Sequence, residues 1–82
     1  MKITYSRQAK KTLKRMPTKM AQNILAHIEK VAQNPVRTDM DIKKLQGRNG
    51  YRLRVGDYRV IYTAEGFVLA VEKIGPRGDV YK

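Results

Sequence analysis

Residues 51–62, 51-YRLRVGDYRVIY-62, decide how this chain folds. Apolar and charged side chains alternate from Tyr51 to Val55, stop at Gly56-Asp57, and alternate again from Tyr58. A period of two belongs to a strand with one buried face. Gly56-Asp57 reads as a two-residue hairpin turn, and turn length fixes register. Val55 then lies opposite Tyr58, Arg54 opposite Arg59, Leu53 opposite Val60, Arg52 opposite Ile61 and Tyr51 opposite Tyr62. One face carries Tyr51, Leu53, Val55, Tyr58, Val60 and Tyr62. The other carries Arg52, Arg54 and Arg59.

That second face carries the functional signal. Like charges directly opposite each other destabilise an antiparallel pair. Arg54 and Arg59 are such a pair, and Arg52 stands two residues away. A bound anion removes the repulsion, and guanidinium meets phosphate through paired N–H donors. A solvated sheet face is the plainer alternative, and it stays open.

Downstream, Glu65-Gly66 makes the next turn, and residues 67–74 read as a third strand, apolar enough to be interior. Gly75-Pro76 ends it. The turn 75-GPRG-78 brings Arg77 toward the arginine face, and Tyr81 follows. Tyrosine stacks on bases and exchanges protons, although near a terminus it is also an ordinary packing residue.

Upstream, residues 35–50 read as irregular, with Gly47 and Gly50 supplying turns. Lys43 and Lys44 in this segment join Arg52 and Arg54 as RNA-binding candidates. Before it, Met20, Ala21, Ile24, Leu25, Ile28, Val31 and Ala32 form the apolar stripe of a helix that Asn34-Pro35 ends. An earlier helix follows Ser6, a good N-cap, with Ala9, Leu13 and Met16 at helical spacing. Pro17 separates the two and is suited to the first position of the second. Residues 2–5 are β-like. The order is β-α-α-β-β-β. The expected architecture is α+β: an antiparallel sheet covered on one face by a helical hairpin, in one domain over residues 1–82.

Composition narrows the chemistry. The 82 residues contain no cysteine and one histidine, which excludes a disulfide framework and argues against a zinc site. His27 reads as structural. Asp57, Glu65 and Asp79 suit turns, and Glu72 is the one carboxylate inside an expected strand, placed to orient an arginine. No carboxylate cluster suits Mg²⁺, so no cofactor is expected and phosphodiester chemistry here is expected to be metal-independent. No apolar run approaches the roughly 20 residues that cross a bilayer, and no secretory leader is evident, so a cytoplasmic protein is expected. The net charge of +11 points to a polyanionic partner. The lysines at 10, 11, 14, 19 and 30 read as solvated helix faces adding long-range attraction.

The run 50-GYRLRVGDYRVIY-62 followed by 71-VEKIGPRGDVYK-82 closely resembles the RelE branch of the RelE/ParE toxin superfamily. The helical hairpin and 43-KKLQG-47 fit the same pattern, so the resemblance covers essentially the whole chain. It implies a type II toxin that enters the ribosomal A site, cuts messenger RNA there, and is neutralised by a cognate antitoxin. It also implies site residues: Arg52, Arg54 and Arg59 on the hairpin, Arg77 in the following turn, and Tyr81. The family pattern has lysines where this chain has Arg52 and Arg54. Arginine keeps the charge but hardly deprotonates, which shifts proton transfer toward Tyr81, the RNA or the ribosome. Many relatives continue into a C-terminal helix that has no counterpart before Lys82.

The expected chemistry is internal transesterification. The ribose 2′-OH attacks the neighbouring phosphorus, the 5′-oxygen leaves, and a 2′,3′-cyclic phosphate remains. Arg59 and Arg77 are the first candidates to stabilise the phosphorane, with Arg52 and Arg54 holding backbone phosphates and favouring the Tyr81 anion. Two rival readings stay open. One is a ParE-like toxin that poisons DNA gyrase on the same scaffold. The other is an RNA-binding module without catalysis.

Overall fold

The hairpin adopts the register that the turn dictates. In the computed structural model, which describes residues 1–76, Val55 pairs with Tyr58, Arg54 with Arg59, Leu53 with Val60, Arg52 with Ile61 and Tyr51 with Tyr62. Gly56 has φ +59°, the left-handed conformation this turn requires. The elements are β1 (Lys2–Tyr5), α1 (Arg7–Arg15), α2 (Thr18–Gln33), β2 (Ile42–Lys44), β3 (Tyr51–Val55), β4 (Tyr58–Glu65) and β5 (Val68–Pro76).

The fold is α+β, two helices against one sheet, but the sheet differs from expectation in two respects. It has five strands in the order β1-β5-β4-β3-β2. It is also mixed, because β1 lies parallel to β5, with Lys2 paired to Val68 and Tyr5 to Val71. The segment expected to be irregular contributes β2, antiparallel to β3, with Lys43 opposite Arg52 and Lys44 opposite Tyr51. Three residues with only Ile42 apolar carry no readable period.

The core lies between the helices and one sheet face. Ile24, Ile28, Val31 and Ala32 of α2 and Ala9 of α1 pack with Leu53, Val55, Val60, Tyr62, Leu69, Val71 and Ile74. The helix and hairpin residues among these are the ones that periodicity assigns to inward faces; Val71 and Ile74 share a face only because of a bulge between them. Tyr51 and Tyr62 stack at 5.5 Å between ring centroids. Burial pushes the Tyr62 hydroxyl up to about 12, with Tyr51 adding to the effect. Pro17 stands one place before α2, as its cap residue rather than its first residue. Phe67, expected in the third strand, sits in the turn before it and is 87% exposed.

The junction of α1 with β5 has consequences for the site. Parallel pairing with β1 stops at Val71, and the register of β4 with β5 slips there: Ile61 pairs with Lys73 but Tyr62 with Val71, leaving Glu72 as a bulge. Side chains at the start of α1 satisfy the backbone beyond. Ser6 Oγ accepts from the Ala9 N–H and donates to the Glu72 carbonyl. Gln8 brackets Ile74, Nε2 donating to its carbonyl at 2.9 Å and Oε1 accepting its N–H at 3.0 Å. The strand therefore continues through Gly75 and Pro76, which pair with Arg59 and Tyr58. Among the described residues, no helix is long and apolar enough to cross a membrane.

Candidate functional site

The face of the sheet away from the helices is built from cross-strand rows. One row runs Lys43, Arg52, Ile61, Lys73 across β2, β3, β4 and β5. The next runs Arg54, Arg59, Gly75. Continuing the β2–β3 register by one residue puts Asp41 beside Arg54, and the Arg54 N–H donates to the Asp41 carbonyl at 2.9 Å. The alternation that buries Leu53 and Val60 on one face therefore gathers Lys43, Arg52, Arg54, Arg59 and Lys73 on the other. Lys44 alternates onto the helix side with Tyr51 and is not brought to this face.

The three hairpin arginines occupy different environments. Arg52 is 8% exposed, and its Nη2 donates to Asp41 Oδ1 at 2.6 Å. Its Nε is buried with no hydrogen-bond partner among the described residues. Arg54 is exposed, with Nε donating to the Gly56 carbonyl at a long 3.4 Å. Arg59 is half-buried between Arg54 and Gly75, which contributes no side chain, and its buried Nη1 is likewise unpartnered. The sequence places all three as equivalent cations. The structure instead gives one a fixed internal counterion and leaves buried donors unspent on two.

A buried guanidinium N–H without an acceptor costs free energy, about 1–3 kcal/mol for a lost hydrogen bond of this kind. Both nitrogens are enclosed, so what the face presents to an anion is its exposed cations, Lys43 and Arg54, and the half-buried Arg59. Ile61, on this same face, is 1% exposed and belongs to no part of the helix-side core. Its cross-strand neighbours are Arg52 and Lys73.

Two carboxylates border the face. Glu72, the bulge residue, accepts from Arg48 Nη2 at 2.5 Å, so it does orient an arginine, but one from the turn between β2 and β3. Asp41 had no visible role in the sequence, because without β2 its register is undefined. Among the described residues no cluster of three or more metal-ligating side chains occurs. Arg77 and Tyr81 lie outside the described residues. Pro76, paired with Tyr58, puts the chain at the Arg59 end of the sheet as it leaves β5.

Comparison with known proteins agrees with this geometry. A family model described as the ParE toxin of type II toxin–antitoxin systems, parDE, matches residues 3–81. Toxin RelE3 of Methanocaldococcus jannaschii is 31% identical over 84 residues, covering 99% of this chain and 96% of the relative. The crystal structure of the archaeal RelE–RelB complex from Pyrococcus horikoshii OT3 is similar at 32% identity and a TM-score of 0.81, covering 95% of this chain and 96% of that one. The RelB–RelE complex from Methanococcus jannaschii is similar at 30% identity and a TM-score of 0.76, covering 95% and 94%.

Proposed function

The chain belongs to the RelE/ParE family of type II toxin–antitoxin toxins and is of RelE type, and from that premise we propose that it is a ribosome-dependent endoribonuclease that cuts messenger RNA in the A site. The observation that carries this reading is the arginine face itself, with Arg54 directly opposite Arg59 and Lys43 beside Arg52 in the neighbouring row. An RNA phosphate offsets the repulsion between Arg54 and Arg59.

Cleavage proceeds by attack of the ribose 2′-OH on the adjacent phosphorus and departure of the 5′-oxygen, leaving a 2′,3′-cyclic phosphate. Charge builds on the non-bridging oxygens, where preorganised donors lower the barrier most. Arg59 and Arg77 stabilise that charge, and Arg54 holds the neighbouring phosphate with help from Arg52 and Lys43. Tyr81 takes the 2′-OH proton or stacks on the flanking base, and nearby arginines favour its anion. The reaction needs no metal ion. A cognate antitoxin neutralises the toxin, as an acidic segment that folds onto a surface of net charge +11. The protein acts in the cytoplasm, where translating ribosomes are.

The test compares wild type with Arg59→Ala and Tyr81→Phe on programmed ribosomes. Each variant is expected to cut at least tenfold more slowly, and wild-type rates in both discard these roles. The family model's ParE description favours one second reading, gyrase poisoning on the same scaffold. A supercoiling assay run beside the cleavage assay separates them.

A further inference from the structure

Arg52 lies on the proposed phosphate-binding face, yet it is nine-tenths buried and already engaged. Its partner, Asp41, holds two site arginines at once. The carboxylate takes Nη2 of Arg52 at 2.6 Å, and the backbone carbonyl takes the N–H of Arg54 at 2.9 Å. Asp41 stands just before β2, the edge strand of the sheet.

A guanidinium carries five N–H donors in a rigid plane. One nitrogen pinned at 2.6 Å in a side chain nine-tenths buried leaves that plane little freedom. The carboxylate thus immobilises Arg52 while Nε stays free of any partner among the described residues. Arg54 and Arg59 keep their charge uncompensated by any described ion pair.

We propose that Asp41 is a positioning residue of this site: it locks the Arg52 guanidinium beneath the phosphate-binding face, so that its charge stands at a fixed point behind the reacting phosphate, and it aligns Arg54 beside it. The inference rests on the nuclease reading. It assigns Arg52 the role of a fixed, buried charge rather than a mobile counterion. Loss of the lock therefore slows the chemical step more than it weakens RNA binding.

The experiment is a double-mutant cycle on the full chain with Asp41→Asn, Arg52→Gln and the pair. Single-turnover cleavage on programmed ribosomes is read against ribosome concentration. Binding of a short RNA oligonucleotide is followed by anisotropy. Asp41→Asn is expected to cut tenfold or more slowly at saturation, with half-saturation within about twofold of wild type. Asp41→Glu is expected to recover most of that rate, and Asp41→Asn to add nothing once Arg52 is Gln. If Asp41→Asn does not fold, Asp41→Glu decides: a rate near wild type supports the lock, and a tenfold loss in this folded variant overturns it. Independent, multiplying effects of the two substitutions overturn the proposal, as does a folded Asp41→Asn at wild-type rate. If wild type itself does not cut, the nuclease reading fails. The Asp41–Arg52 coupling is then judged on unfolding free energy in urea, where additivity of the two substitutions overturns it.

Discussion

Arg52, Arg54 and Arg59 look alike in the sequence and differ in the fold, which is where reading by alternation ends. Alternation sorts side chains by face, and it sorted these correctly. It does not reveal a counterion on a strand that has no periodicity of its own. The sequence therefore leaves three cations repelling one another, whereas the structure gives Arg52 to Asp41 and leaves Arg54 opposite Arg59. Stability data can test this difference. Asp41→Ala leaves a buried guanidinium without its partner and is expected to cost roughly 2–3 kcal/mol in urea denaturation, the carboxylate being half exposed. Arg52→Met removes the buried charge itself and is expected to cost less than Asp41→Ala. The reverse order means the pair does not hold this face together. Tyr62 gives a second test at this scale. Its hydroxyl is raised from the ordinary value of 10.0 to about 12, so between those pH values the unfolded chain releases a proton that the folded one keeps. Stability from this group is complete below pH 10 and declines toward pH 12. Tyr62→Phe is expected to flatten that part of the pH–stability profile, and an unchanged slope contradicts the assignment.

Among the elements, both long helices and the hairpin were readable, because each carries its period over two or more turns or several alternations. β2 and the bulge at Glu72 were not. A three-residue strand is defined by its partner, and a bulge by hydrogen bonds that no residue type announces. The bulge nevertheless extends β5 to Pro76 and so sets Gly75 beside Arg59. Gln8 supports this arrangement from α1 by pairing with both backbone groups of Ile74. Gln8→Ala is expected to cost about 1–3 kcal/mol, since it strands those two groups. A loss below about 0.5 kcal/mol by thermal denaturation rules out that support. Gly50 closes the turn into β3 at φ +122°, where a Cβ would lie 3.0 Å from the Tyr62 carbonyl oxygen. Gly50→Ala is therefore expected to destabilise by a further 1 kcal/mol or more beyond Gly47→Ala, whose position has open space around it.

For the molecule as a whole, the charge of +11 is expressed mainly as exposed cations, with helical lysines on one side of the sheet and the arginine face on the other. Long-range attraction comes from all of them, and chemistry from few. Each phosphate contact removed is expected to lower the salt slope of RNA affinity by about 0.7. Arg54→Gln with Arg59→Gln should thus reduce it by about 1.4, while the same change at Lys10 and Lys14 leaves cleavage at saturation intact. The central claim is that this face cuts messenger through the ribose 2′-OH on the ribosome. The most direct measurement is end-mapping of a programmed ribosome's messenger, run with and without a single 2′-deoxy substitution at the cut site. The expected result is a discrete A-site cut ending in a 2′,3′-cyclic phosphate, abolished by the 2′-deoxy substitution. A messenger left whole by wild-type protein, or a cut that persists at the 2′-deoxy position, contradicts it.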